Sequence, residues 1–371
     1  MTRELTRTPR ADGYWMPAEF DRHAGTWMIW PERSDNWRDG ARPAQQAFAA
    51  VAAAIARFEP VSVAASARQY QFARAGLAPR VRVIEISNND AWMRDTGPTF
   101  VVNAAGRRRA VDWRFNAWGG LHSGLYFPWD QDDLVAQKVA AIEGVDRYRA
   151  PLVMEGGAIH TDGQGTLLVT EQCLLNVNRN PDLTREQIEQ LLKDYTGAST
   201  VIWLGDGVIN DETDGHVDNL ACFARPGEVC LTFPSSRRDP QWAVSNDALE
   251  RLAAARDARG RRLKVLKLPS PGPLKMTAAE AAGVQYVASS KARRAGERLA
   301  ASYANFYICN GAVILPLLDR RTDGEAAARL KRVFPEREIV GVPGREILLG
   351  GGNIHCITQQ VPASKLRRRP S

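Results

Sequence analysis

The chain has 371 residues, 44% of them hydrophobic and 25% charged, with a net charge of +7. This is ordinary soluble-globular composition, with enough apolar material for one large α/β domain or two smaller ones. The five cysteines (173, 222, 230, 309 and 356) are widely spaced and form no CxxC pair, which excludes a disulfide scaffold, a structural zinc finger and an iron–sulfur site.

The N-terminal MTRELTRTPRADG lacks the apolar stretch of a signal peptide. The apolar run AFAAVAAAIARF is interrupted by arginine and is too short to span a bilayer. Together with free thiols, these features predict a cytoplasmic protein with no membrane partner. Residues 43–58 read as an alanine-rich helix opening on proline, PVSVAAS as a strand, and RVRVIEIS (80–87) as the next strand. Helices are predicted at 132–144, 184–197, 247–258 and 324–335, the second between a Thr184 N-cap and a Gly197 C-cap. Glycine-bearing turns at 103–107, 161–165, 224–228 and 309–311 join pairs of apolar strands. Basic clusters at 107–109, 261–264 and 365–369 read as a turn, a loop and a tail, and no nucleic-acid-binding signature accompanies them.

The units share polar residues at their strand starts. EGGAIHTDG (155–163) resembles GGGNIHCIT (350–358), and DGHVDN (214–219) and MRDTGP (93–98) stand at similar places. Positions 95, 156, 216, 305 and 352 recur at irregular intervals of roughly forty-five to ninety residues, as modules of a closed ring around a central pocket would.

Cys356, behind three glycines, is the candidate nucleophile. If NIHCIT is extended, His355 and Cys356 point to opposite faces, so the base must come from elsewhere. His216 has the strongest company: Asp218 lies on the same face of any extended segment, and Glu212 and Asp214 precede it. Either thiolate and imidazolium form a resting pair, or a cationic substrate lowers the thiol pKa on binding. Asp95 beside Trp92 suits a planar cation, which wants a carboxylate at its edge and an aromatic ring over its face. Arg94 either holds Asp95 ionised or pairs elsewhere. The chemical alternative is a metal held by Asp214, His216 and Asp218, with His160 or His355 joining, although no HExxH-type spacing exists. Otherwise His160 and His355 are read as structural histidines.

The segments WMPAEFDRHAGTWMIWP (15–31), NDAWMRDTGPTFVVN (89–103), EGGAIHTDGQGTLLVTEQCLLNVNRNP (155–181), ETDGHVDNLACF (212–223) and GGGNIHCITQQVP (350–362) resemble, in this order, the agmatine deiminase family of the guanidine-modifying superfamily. The resemblance implies the pentein fold, a five-bladed α/β-propeller of pseudo-fivefold ββαβ-type modules around a central active site. It implies one catalytic domain over residues 1–371, with an ordered core at about 12–362 and a flexible tail at about 363–371. Cys356 would be the nucleophile, His216 the general acid and base, and Asp95 and Asp218 the guanidinium clamp. Trp92, Glu212, Asp214 and Gly352 would bind substrate, with Glu212 near the distal ammonium. No metal or cofactor is implied, and the partners are agmatine and further copies of the chain, as a homo-oligomer and specifically a homodimer. The implied reaction hydrolyses agmatine to N-carbamoylputrescine and ammonia in putrescine formation, through a cysteine thiouronium. Alternatives are a peptidylarginine or free-arginine deiminase, an amidinotransferase and, from another class, a non-catalytic guanidine- or polyamine-binding protein. The segment 269–276 (PSPGPLKM) is expected at the pocket mouth.

Overall fold

Each predicted turn joins two antiparallel strands in the computed structural model, which describes residues 2–364. Thr99–Asn103 turns back into Arg108–Arg114, His160–Thr161 into Thr166–Thr170, Ala221–Arg225 into Glu228–Phe233, and Tyr307–Cys309 into Ala312–Leu317. A helix then crosses over, and a third strand lies parallel to the second. These third strands are Arg147–Val153, Thr200–Leu204, Lys264–Pro269 and Glu338–Pro343. The fifth unit draws on both ends of the described chain. Gln359–Pro362 pairs antiparallel with His23–Ile29, and Val61–Ala65 and Arg82–Glu85 follow in parallel. Five ββαβ units result, which is the expected pentein architecture.

Local chemistry explains the helices. Thr184 accepts the Gln187 amide at 3.3 Å while the Gln187 side chain accepts the Thr184 amide at 2.8 Å, and Gly197 ends the helix Arg185–Thr196 with φ of 71°. Helix Arg42–Ile55 buries Ala44, Phe48, Val51, Ala52 and Ile55 at helical spacing against the sheets. Removing Phe48, Val51 and Ile55 from water contributes about 1.5–3 kcal/mol each. The helix expected at 247–258 lies instead at Gln241–Ala254. Asp239 accepts the Gln241 amide at 2.9 Å and fixes the earlier start, while Asp257 takes the amides of Arg259 and Arg261 and forces a turn.

Residues 3–5 already run along the third strand of the first unit, with the Leu5 amide on Arg147 O at 2.8 Å, ahead of the boundary expected near residue 12. The basic run 365–369 and most of the expected tail lie outside the described residues. Among the described residues no helix is long and apolar enough to cross a membrane. The apolar core sits between sheets and helices. The centre is polar: Glu19, Arg94, Asp95, Glu155, His160, His216, Asp218 and His355 are all buried there. Most of these groups stand on the short turns that lead into the first strands, such as Met93–Thr96, Gly156–Ala158 and Val217–Leu220.

Candidate active site

The glycine run before Cys356 is required by its neighbours. A Cβ at Gly350 would lie 2.2 Å from the Trp37 ring, and one at Gly352 would lie 2.6 Å from the Trp92 ring and 3.0 Å from Cys356 Sγ. Gly351 takes φ of +114°. Beyond the glycines, the expected extended NIHCIT is a turn, and the strand begins only at Gln359. Side chains decide this: Asn353 caps the Ile354 amide at 3.0 Å, and Thr358 Oγ1 donates to Ile354 O at 2.9 Å. His355 and Cys356 are therefore not set on opposite faces of a strand. Both reach Asp218 Oδ2, His355 Nδ1 at 2.7 Å and Cys356 Sγ at 3.7 Å. Asn305 Nδ2 donates to Sγ at 3.3 Å.

Asp95 comes from the turn Met93–Thr96. Its Oδ1 accepts the Gly157 amide at 2.9 Å and its Oδ2 accepts Trp118 Nε1 at 3.0 Å. His216 and Asp218 were expected on one face of a strand; instead His216 caps the helical turn Val217–Leu220. They still converge. A Cβ on Gly157 would lie 2.5 Å from His216 Nδ1 and 3.0 Å from both Asp218 Oδ2 and Asp95 Oδ1. His216 Nδ1 is 3.9 Å from Asp95 Oδ2, and its Nε2 is 3.3 Å from Glu155 Oε2. Glu155 is in turn bound by Arg179 Nε at 2.8 Å.

Burial disfavours a charged His216, yet Asp95 and hydrogen bonds to Cys173 and Glu155 outweigh it and keep the imidazole protonated well above its ordinary pKa. Burial, with Asp218 and Asp95 alongside, pushes the Cys356 thiol well above its usual range. Both directions favour a resting thiol beside an imidazolium over the ion pair, with a cationic ligand lowering the thiol pKa on binding. Burial, opposed by His216 and reinforced by Asp218 and Glu155, raises Asp95 to about 6. Burial also acts on Asp218, but the hydrogen bond and charge of His355, and then His216, hold it below the usual carboxylate range.

A cavity meets this centre at Asp95, Cys356, Gly352 and Trp92. Trp92 and Trp37 are both fixed by Asp90, each indole N–H donating at 2.9 Å. His216 and Asp218 stand just behind the wall that Asp95 and Cys356 form. Glu212 lines the cavity, but its Oε1 is already engaged by Arg293 and, at 3.2 Å, by Lys291. Its Oε2 is buried without a hydrogen-bond partner. Asp214, expected to bind substrate, does not line the cavity; its Oδ2 takes Arg179 at 2.8 Å and Asn178 at 2.9 Å. The segment 269–276 is also absent from the lining, where Ser290, Lys291 and Arg293 stand instead. Arg94 pairs away from Asp95, with Gln360 at 2.8 Å and Glu19 at 3.6 Å.

The alternative metal set of Asp214, His216 and Asp218 is dispersed onto Arg179, Glu155 and His355 respectively. Among the described residues two other groups bring donor atoms within 4.8 Å of one another, Glu19–His160–His355 and Glu155–Cys173–His216. Each has an arginine on its carboxylate, Arg94 and Arg179, whose charge opposes a cation. Sequence reasoning missed Glu155, Gly157, Trp118 and Arg293. Glu155 and Gly157 did carry a signal, since EGGAIH parallels the nucleophile motif. What the centre can do is hold a planar cation between two carboxylates beside a thiol and a protonated imidazole.

The sequence matches the family described as Porphyromonas-type peptidyl-arginine deiminase over residues 15–362. It is 59% identical over 365 residues to the agmatine deiminase of Stutzerimonas stutzeri, covering 98% of this chain and 99% of that one. The chain belongs to the agmatine deiminase family. The structure of the Enterococcus faecalis agmatine deiminase superposes with a TM-score of 0.96 at 50% identity, covering 98% of this chain and all of that one. A cysteine-to-serine variant of C. jejuni agmatine deiminase with substrate bound superposes at 0.79 with 27% identity, covering 96% and 97%. These likenesses put agmatine deiminases among the pentein enzymes that share this chain's five-unit ring.

Proposed function

We propose that the protein hydrolyses agmatine to N-carbamoylputrescine and ammonia through a covalent adduct on Cys356. The observation that carries this is the convergence of a buried thiol, two carboxylates and a protonated imidazole at one cavity wall, in a chain whose relatives are agmatine deiminases. Asp218 Oδ1 is buried and has no hydrogen-bond partner, which suits a guanidinium N–H. Asp95 and Asp218 grip the guanidinium by charge-assisted hydrogen bonds and present its carbon to sulfur.

The bound cation offsets the two negative charges that keep the thiol protonated, the thiol proton passes to solvent as the cation binds, and Cys356 attacks as thiolate. His216 donates its proton to the departing nitrogen, ammonia leaves, and an S-alkylthiouronium remains. Now neutral, His216 takes a proton from water, which attacks the same carbon; the C–S bond breaks, the adduct's hydroxyl proton returns to the sulfur, and the ureido product leaves. Trp92 and Trp118 flank the clamp, 6.4 Å apart and edge to face, and keep water from weakening it.

The cavity cations Arg33, Arg293 and Lys291 already pair with Asp35 or Glu212, so none stands as an unpaired charge for a substrate carboxylate. That favours agmatine over arginine. The unpartnered Glu212 Oε2 is the acceptor we assign to the distal ammonium. We read the chain as one catalytic domain, cytoplasmic and homodimeric; its five free cysteines support a reducing compartment, and sedimentation velocity tests the dimer.

The deciding experiment quantifies ammonia and N-carbamoylputrescine from agmatine for the wild type and Cys356→Ser, with and without chelator, beside arginine and a blocked arginine peptide. Stoichiometric products from agmatine alone, lost in the variant and insensitive to chelator, are expected. Turnover of arginine or peptide instead would move the specificity. A folded protein inert toward every guanidine would leave only a binding role.

A further inference from the structure

His355 adjoins the nucleophile in sequence yet takes no step in the mechanism above. Both of its ring nitrogens meet carboxylates: Nδ1 lies 2.7 Å from Asp218 Oδ2, and Nε2 lies 2.7 Å from Glu19 Oε2. A neutral imidazole carries a single N–H, so donation to two ionised carboxylates requires the imidazolium. Glu19 belongs to the WMPAEFDRH segment, which the reaction leaves unused. Its second oxygen is fixed by the Ile308 amide at 2.7 Å. At the other end, Asp218 has one oxygen pinned by His355, while Oδ1 is buried and unpartnered.

We propose that His355 is a positioning residue for cation recognition: as an imidazolium anchored by Glu19, it holds Asp218 with Oδ2 occupied and Oδ1 as the free acceptor for a guanidinium or amidinium group. A packing histidine needs neither two carboxylates nor a free oxygen on one of them. The identity of the natural cation rests on the deiminase reading; the positioning role does not.

The charged and titratable groups facing His355 are Asp218, Glu19, Arg94, His160 and Cys356. Burial and Arg94 oppose a charge on the ring, but Glu19 and Asp218 outweigh them and raise its pKa. His160, whose ring is 6.0 Å away, is driven chiefly by burial down to about 4 and adds no competing charge near neutrality. Arg94 lies 3.6 Å from Glu19 and helps hold that carboxylate ionised.

The test compares alkylation of Cys356 by neutral iodoacetamide and by amidinium-bearing 2-chloroacetamidine. The ratio of the two rate constants cancels changes in thiol ionisation and isolates cation recognition. His355→Asn keeps an amide N–H near the Nδ1 position, facing Asp218, whereas His355→Gln keeps one near Nε2, facing Glu19. For His355→Gln the ratio of cationic to neutral rate falls about tenfold or more, the effect of losing roughly one well-placed hydrogen bond between Asp218 and the cation. For His355→Asn the fall is smaller.

Thermal melts establish that the variants fold. A wild-type ratio in both folded variants overturns the proposal, as does an equal slowing of both reagents. Should neither variant fold, nitrogen NMR of histidine-labelled wild type at about pH 8 decides, with His355 identified through the unique His355–Cys356 peptide. Protons on both ring nitrogens support the role, and a neutral ring overturns it. A wild type that selects the amidinium reagent but releases no ammonia from agmatine would refute the substrate assignment and leave this inference standing.

Discussion

At Gly157 three functional side chains share the space that one methyl group would fill. Gly157→Ala places a Cβ 2.5 Å from His216 Nδ1 and 3.0 Å from two carboxylate oxygens. Displacing a catalytic group by a fraction of an ångström to one ångström costs about 100-fold in rate, whereas overpacking costs about 1–3 kcal/mol of stability. Steady-state kinetics beside thermal melts should therefore show kcat/KM collapsing in a protein that still folds. With Asp95 gripping the cation as proposed, the acid limb of kcat/KM is expected to follow its carboxyl, which sits at about 6 in the folded protein. Below that pH its carboxyl is protonated and cannot grip a cation, so activity falls as pH falls through about 6. Trp118 donates to Asp95 at 3.0 Å and favours the ionised form. Trp118→Phe removes that donor, so the limb moves upward by about one unit or more, the equivalent of a hydrogen bond to a charged group. A pH profile with no such movement would detach Asp95 from that limb.

Among the elements, the capping box of Arg185–Thr196 offers a clean separation of stability from chemistry. Thr184→Ala removes an N-cap on a partly exposed helix and costs about 1 kcal/mol. Urea denaturation should record that loss while kcat/KM for agmatine is unchanged. This helix, like the four hairpin turns, was readable in the sequence because its determinants lie within three or four residues of one another. The helix at Gln241–Ala254 was misplaced because its start depends on Asp239, a capping carboxylate behind a proline rather than the periodic stretch itself. The turn at 354–358 was read as a strand because isoleucine and threonine favour extended backbone. Asn353 and Thr358 hydrogen bonds override that preference. Cys356, His216, Asp95 and Asp218 were recognisable by residue type and setting. The Glu155 partnership with His216 was not, since it spans 61 residues and exists only once two units meet.

Across the whole molecule, Arg179 fastens several loops together. It bonds Glu155 at 2.8 Å, Trp118 O at 2.7 Å, Asp214 at 2.8 Å and Thr213 O at 2.9 Å, with almost no exposure. Lysine cannot reproduce a planar fork of five donors. Arg179→Lys should leave Glu155 and the carbonyls under-satisfied, at about 3–5 kcal/mol, read as a lower urea midpoint together with weaker turnover. The ring itself was legible only as a repeat of polar strand starts. Its closure was not, because Gln359–Pro362 pairs with His23–Ile29 from the other end of the described chain, and no local pattern sets that register. That closure has a consequence for biosynthesis. Residues 350–358, which carry Cys356, emerge from the ribosome after Asp95, His216 and Asp218, and the strand that pins them emerges later still. A growing chain acquires His355, which holds Asp218, together with its reactive sulfur, and only as the two ends of the described chain meet in the fifth unit. Translation thus arms the thiol at the moment its protective cradle is complete.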